Sequence, residues 1–230
     1  MMYGFTWDTS TTLSFAWSIL PILGIGLIVT LEAAAAGFAI ALVLGLVFAL
    51  LRRSRFIAIS WPTAFVIEFL RDTPLLVQLF FLYYVLPIYG IVLPAFLTGA
   101  LALGLQYSAY TSEVYRGGLD AVPRGQWEAA TALNLGHGRT YWDIIIPQAI
   151  PRIIPAMGNY LVSMLKETPV LSVVTVVDML NLANLIGDRT FEYLVPLSLV
   201  GLIFLILTLV CSAAIHWLEK ALPKNGIALK

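Results

Sequence analysis

Residues 73–112, TPLLVQLFFLYYVLPIYGIVLPAFLTGALALGLQYSAYTS, contain no Asp, Glu, Lys or Arg. A single helix of this length would measure about 60 Å, roughly twice the hydrocarbon core of a bilayer. Pro87, Gly90 and Pro94 interrupt it, and such residues end or bend helices. The stretch therefore reads as most of one membrane span and nearly all of the next, joined by a short hairpin. That reading sets the fold class, an all-α polytopic membrane protein.

The rest of the chain agrees. Hydrophobic types make up 60% of the 230 residues and charged types 11%, an apolar share well above that of soluble domains. A first span is expected over about 19–51, interrupted by Glu32 and closed by Arg52, Arg53 and Arg55. It is too long, and lacks the basic head, for a cleaved secretory signal. The second covers 57–87, the third 93–115, the fourth 147–165 and the fifth 193–218. The run LSVVTVV at 171–177 is too short for an independent crossing; a re-entrant helix, a surface helix and a kinked extension of span four all remain open. No linker or internal repeat divides the chain, so residues 1–230 form one transmembrane domain with its core at about 19–218.

Five spans place the termini on opposite sides. Arg52, Arg53, Arg55, Arg116, Arg124, Arg139, Arg152, Lys220, Lys224 and Lys230 all fall on one side, and Arg189 stands in a loop on the other. The positive-inside rule then puts the amino terminus outside and the carboxyl terminus in the cytoplasm. Formal net charge is zero, which gives no basic surface for nucleic acid. Cys211 is the single cysteine, so no internal disulfide forms, and it reads as apolar filler.

The longest polar interval is 116–147, a cytoplasmic connector in this topology. Pro123 marks a helix start, and GQWEAATALNL can make about three turns with Trp127, Thr131 and Asn134 at helical spacing. After Gly136 and Gly138 a second short helix, RTYWDIII, is expected to stop at Pro147. Trp127, Tyr141 and Trp142 suit helices that merely pack beneath the spans, and composition alone favours that role.

Glu128-Ala129-Ala130 through Ile144 and Pro147 resembles the EAA loop of permease subunits in binding-protein-dependent ABC importers. VIEFLRDTPLLVQLFFLYYVLP, QYSAYTSEVYRGGLDAVPRGQWEAA and LVSMLKETPVLSVV extend the likeness in order to the polar amino-acid subgroup, whose members are short five-span subunits working in pairs. At finer grain the chain looks most like permeases for ectoine and hydroxyectoine. The resemblance implies a bacterial cytoplasmic (inner) membrane location and a second permease, identical or homologous. It also implies two copies of a cytoplasmic ATPase and an extracytoplasmic solute-binding protein. ATP and Mg would sit on the ATPase, with no cofactor on this chain. Glu128, Ala129, Ala130, Asn134, Gly136, Ile144 and Pro147 would form the coupling element that docks on it. The family pattern is altered at Asn134 and Asp72, each where glycine is usual, and at Pro169, where serine is common. Asn tolerates a left-handed turn less freely than glycine, which puts the local bend in question.

Charge within the spans needs partners. Glu68, Arg71 and Asp72 share a helical face and are expected to neutralise one another. Glu32, among four alanines, is expected to face the protein interior, in a gate or as a helix-pairing group. For a zwitterionic substrate, Gln106, Asn159, Lys166 and Thr168 are candidate donors to its carboxylate, and Tyr107, Tyr110 and Glu113 candidate partners of its cation. Asp178, Asn181, Asn184, Asp188, Arg189 and Glu192 read as a solvated outer loop, some of it available to a binding protein.

Other chemistries find little support. No GxxxxGK[ST] phosphate cradle occurs, so energy must come from a partner. His137 and His216 form no paired metal motif, and no serine has a base-and-orienter set; the chain is no enzyme by itself. An ion-coupled secondary transporter and a noncatalytic membrane scaffold remain as alternatives, the first weakened by five spans without an inverted repeat.

Overall fold

The computed structural model describes residues 7–222; Lys224 and Lys230, counted above for topology, lie outside it. The described chain is helical, in the order α1 Thr12–Arg52, α2 Ile57–Asp72, α3 Leu75–Tyr89, α4 Ala95–Asp120, α5 Arg124–Ala132, α6 His137–Val174, α7 Met179–Thr190 and α8 Leu194–Ala221. By length and composition α1 and α8 each suffice to cross a membrane. α6 and α7 together make a third such unit, bent by 48°. The second expected span is divided between α2 and α3, the third corresponds to α4 and the fourth to α6.

α1 begins at a reciprocal cap, in which the Ser14 N–H donates to Thr11 Oγ1 and the Thr11 N–H to Ser14 Oγ, both at 3.1 Å. This satisfies donors that the first helical turn leaves open. From Gly26 onward its buried stripe is made of small residues, Gly26, Thr30, Ala33, Ala34, Gly37, Ala41, Gly45 and Ala49. Small residues let helices approach closely where lipid removes the hydrophobic drive for association. α4 lies along this stripe. A Cβ on Gly45 would fall 2.0 Å from Thr111 Oγ1, and one on Gly104 2.5 Å from Ile40 Cγ2. Thr111 Oγ1 donates across the seam to the Ala41 carbonyl at 2.8 Å.

Two large apolar cores result, beside smaller clusters. One gathers Ala33, Ala41, Leu75, Leu79, Leu103, Tyr107, Met164, Leu171 and Val174 around the middle of α4. The other joins the first half of α1 to α7 and α8 through Phe15, Ile19, Ile22, Leu23, Met179, Leu182, Ile186 and Val200.

Two breaks interrupt the helices, and at each a side chain pairs with backbone groups that the break frees, the kind of partner that backbone at membrane depth needs. Thr73, held extended ahead of Pro74, ends α2 as the residue before a proline tends to. The Gln78 side-chain amide then donates to the carbonyls of Leu70 and Thr73 at 2.8 and 3.1 Å. α3 continues through a π-turn at Phe81–Val85 and a 3-10 turn at Leu86–Tyr89.

In α6 the last residues, Thr168–Val174, tighten to 3-10 geometry. Residues 171–174 thus continue the helix in 3-10 geometry, and 175–177 form the turn into α7. Thr175 adopts a left-handed conformation with φ 63°. Asp178 caps α7 by accepting from the Asn181 N–H at 2.8 Å, and Thr30 Oγ1 of α1 accepts from the Met179 N–H at 3.3 Å. The close approach requires Gly26, whose Cβ would sit 2.6 Å from the Met179 Cα.

Three expectations are corrected. Asp178 is no solvated loop residue: it is fully buried, and residues 179–190 are helix. Glu32 stands on an exposed face of the subunit, because the inward stripe of α1 is taken by Thr30, Ala33, Ala34 and Gly37. The helix after Gly136 does not stop at Pro147 but runs on to Val174. A π-turn at Thr140–Ile145 widens the backbone just ahead of Pro147, whose ring and missing N–H fit poorly within regular α-helix.

Candidate functional site

The connector forms a compact hairpin of helix α5 and the start of α6. Pro123 is the N-cap of α5, and Thr131 Oγ1 donates back to the Trp127 carbonyl at 2.9 Å. The helix ends at Ala132, shorter than the eleven-residue run from Gly125, so Asn134 lies past it and not on its face. Asn134 has φ 52°. Its N–H donates to the Thr131 carbonyl at 2.9 Å, and the Leu135 N–H to the Ala130 carbonyl at 3.0 Å. This paired closure is the left-handed stop that glycine usually makes, and Asn is the common second choice. The departure from glycine leaves the bend intact.

The inner side of the hairpin is fixed. Trp127 packs edge-on against Tyr141 with ring centroids 5.2 Å apart. Val122, Ile145 and Ala149 form a small core with Leu119, Ile144 and Ile153. Gln148 Nε2 donates to Gln126 Oε1 at 3.2 Å, and Arg152 donates to the Ala121 carbonyl. Arg53 at the end of α1 pairs with Asp120 at the end of α4, tying the root of the hairpin to the longest helix.

The outer side is free. Of the expected coupling residues, Glu128, Ala129, Asn134, Gly136 and Pro147 are exposed, Ile144 is half-buried and Ala130 is buried in the hairpin. Leu133, which the sequence did not single out, is 72% exposed beside them. It follows the buried Ala130 by three positions, yet the helix stop after Ala132 throws it outward. Trp142 is equally exposed and does not share the inner packing of Trp127 and Tyr141.

Farther along α4 lies an aromatic cluster. Tyr107 is almost fully buried, with Tyr110 at 5.7 Å and Tyr160 of α6 at 6.3 Å between ring centroids. Tyr110 and Tyr160 stack at 5.4 Å with planes 17° apart. Gln106 bridges this cluster to the α2–α3 break. Its Oε1 accepts from Gln78 Nε2 at 2.5 Å, and its Nε2 lies 3.5 Å from the Tyr110 hydroxyl. With the Gln106 amide turned over, its nitrogen would donate to the Leu70 and Thr73 carbonyls at 3.1 Å each. Glu167 of α6, exposed, lies near the Tyr107 hydroxyl.

The structure thus brings Gln106, Tyr107 and Tyr110 together and adds Tyr160 and Glu167, which no helical periodicity links to α4. Lys166 and Asn159 are exposed nearby in sequence on α6. Thr168 is different: it is fully buried and donates to its own Leu165 carbonyl at 2.8 Å, so its hydroxyl is already spent. Glu113 is drawn away too, pairing with Arg116 at 2.7 Å. In the expected charge cluster, Arg71 Nε contacts Asp72 at 3.5 Å and makes no ion pair with Glu68. Among the described residues no group of His, Cys, Asp and Glu could hold a metal ion.

Residues 41–224 match the family described as binding-protein-dependent transport system inner membrane component. Over its full length the chain is 64% identical to the full length of the probable amino-acid ABC transporter permease protein y4tG of Sinorhizobium fredii (strain NBRC 101917 / NGR234). It is 35% identical to the arginine transport system permease protein ArtQ of Bacillus subtilis (strain 168), over 87% of this chain and 92% of that one. A solved amino acid ABC transporter, crystallised with histidines, superposes with a TM-score of 0.87 at 37% identity, covering 94% of this chain and all of the other. By sequence and by fold, this chain belongs to the inner-membrane components of binding-protein-dependent transport systems.

Proposed function

We infer that this chain is the permease subunit of an ATP-driven importer that carries a polar amino acid, or a related zwitterion such as ectoine or hydroxyectoine, across the bacterial inner membrane. It is a membrane component and not the ATP-hydrolysing one. The observation that carries the reading is the connector hairpin, with a fixed inner side and an exposed outer side formed by Glu128, Ala129 and Leu133. A rigid, protruding helix end of this kind can transmit a push.

In the inferred assembly two permeases, identical or homologous, stand over two ATPase copies, which hold ATP and Mg, and a solute-binding protein delivers substrate outside. α5 enters a cleft on the ATPase. Closure of the ATPases then moves the hairpin and, through Arg53–Asp120 and the α4 seam, the spans above it. The distribution of Arg and Lys supports an outside amino terminus and a cytoplasmic carboxyl terminus.

The passage is read at Gln106, Tyr107 and Tyr110, joined by Tyr160 and Glu167. Ring faces and a carboxylate suit the substrate's cation; Lys166 and Asn159 supply donors for its carboxylate. Relatives named for amino acids support this substrate class.

The test is reconstitution with the neighbouring permease, ATPase and binding protein in liposomes. Uptake is expected only with ATP inside and loaded binding protein outside. Uptake driven by an ion gradient without ATP would instead make the chain a secondary transporter, and no uptake by an intact assembly would make it a scaffold.

A further inference from the structure

Where α1, α2 and α4 meet near the connector, a cleft of about 190 Å³ is lined by Arg52, Arg71 and Arg116 with Glu68 and Glu113. Its guanidiniums come from three different helices. Arg116 is neutralised by Glu113 at 2.7 Å, and Arg71 has only the long 3.5 Å contact to the exposed Asp72. Among the described residues Arg52 has no carboxylate within 4.0 Å. The lining thus holds three guanidiniums against two carboxylates, and α2, which forms its outer wall, is apolar and exposed beside it: Trp61 and Phe65 are 68% and 63% exposed. Guanidinium forks fit phosphate oxygens, tryptophan favours the membrane interface, and basic pockets between spans receive lipid headgroups.

We propose that this cleft binds the phosphate of an anionic glycerophospholipid, with Arg52 and Arg71 on its oxygens, beside the exposed apolar face of α2. The leaflet occupied rests on the orientation inferred above; the ligand does not. Bound lipid would brace α2, which touches the rest of the subunit through few buried residues, Thr63, Ile67 and Leu70.

The assembled permease–ATPase complex, stripped of lipid in detergent, is offered phosphatidylglycerol, phosphatidylcholine or soluble glycerol 3-phosphate, and retained lipid is counted by native mass spectrometry. Phosphatidylglycerol is expected to be retained over phosphatidylcholine, and R52Q/R71Q to lower its retention by about tenfold, while R52K/R71K keeps most of it. E68Q, which leaves the arginines in place, is expected to strengthen retention. Equal retention by wild type, R52Q/R71Q and E68Q would overturn the proposal. So would competition by glycerol 3-phosphate as effective as the lipid, which would mark a site for a soluble phosphate. Detergent solution has no sidedness, so an error in the inferred orientation would leave these results unchanged and would appear separately, in labelling of the termini from each side.

Discussion

The hydroxyls of Tyr83 and Thr175 lie 3.1 Å apart, joining the π-turn of α3 to the left-handed residue that ends the 3-10 stretch of α6. Two of the subunit's irregular segments thus meet at one hydrogen bond, beside the core that holds Tyr107. Broken helices at membrane depth are common where transporters change shape. Removing either hydroxyl, by Tyr83→Phe or Thr175→Val, should cost about 1 kcal/mol. The double variant should cost no more than the larger single effect, read as thermal unfolding midpoints of the purified complex; additive losses would show that the two groups do not act together.

At Gly45 the seam between α1 and α4 leaves no room for a side chain. Gly45→Val should destabilise the subunit by about 1–3 kcal/mol or more, the usual scale of overpacking, whereas Gly24→Ala, with open space around it, should be nearly neutral. Membrane yield and melting temperature would both report the difference.

The Gln78 amide serves the carbonyls that the α2–α3 break exposes. Gln78→Leu keeps the volume but leaves Leu70 and Thr73 without that donor, a loss of about 1–3 kcal/mol. Gln78→Glu should be as damaging, since a carboxylate offers nothing to a carbonyl. Faster amide hydrogen exchange around 70–78 would mark the break as the place that loosens.

Asn134 occupies a backbone region that β-branched residues avoid. Asn134→Gly should be tolerated, while Asn134→Val should cost about 1–2 kcal/mol locally and reduce ATP-driven uptake by misdirecting Leu133. Comparing uptake per ATP hydrolysed for the two variants separates strain in the bend from a lost side-chain contact.

If Tyr160 faces the substrate's cation, Tyr160→Ala should raise the half-saturating substrate concentration by about two- to thirtyfold, and Tyr160→Phe should change it little. A fall in maximal rate with unaltered half-saturation would place Tyr160 in the core instead of the passage.

Much of this fold was legible because lipid leaves the backbone few choices. The charge-free run 73–112, with its prolines, foretold a break and a hairpin. The polar interval 116–147 marked the connector, and only the resembled family's usual glycine pointed to Asn134 as its bend; helical spacing alone placed that residue on the face of α5, which ends before it. Pro147 misled, since a proline can bend a helix without ending it, and a π-turn absorbs it here. Asp178 looked like a solvated loop residue for want of knowledge that Gly26 of α1 would let the start of α7 come so close. Glu32 was turned the wrong way because an alanine-rich helix gives no apolar stripe to say which side is in. Tyr160 and Glu167 were missed from the aromatic cluster because their partners are contributed by another helix, and no spacing within α6 reveals them.

The most direct test of the coupling role is uptake measured together with ATP hydrolysis in proteoliposomes containing the full transporter, wild type and Glu128→Ala. Glu128 is exposed on α5 and makes no contact that supports the hairpin core, so the variant should assemble normally. The result expected is retained ATP hydrolysis with uptake reduced by about tenfold or more, the loss of one strong docking contact. Unchanged uptake per ATP hydrolysed, in both Glu128→Ala and the Glu128→Ala/Leu133→Ala pair, would contradict it.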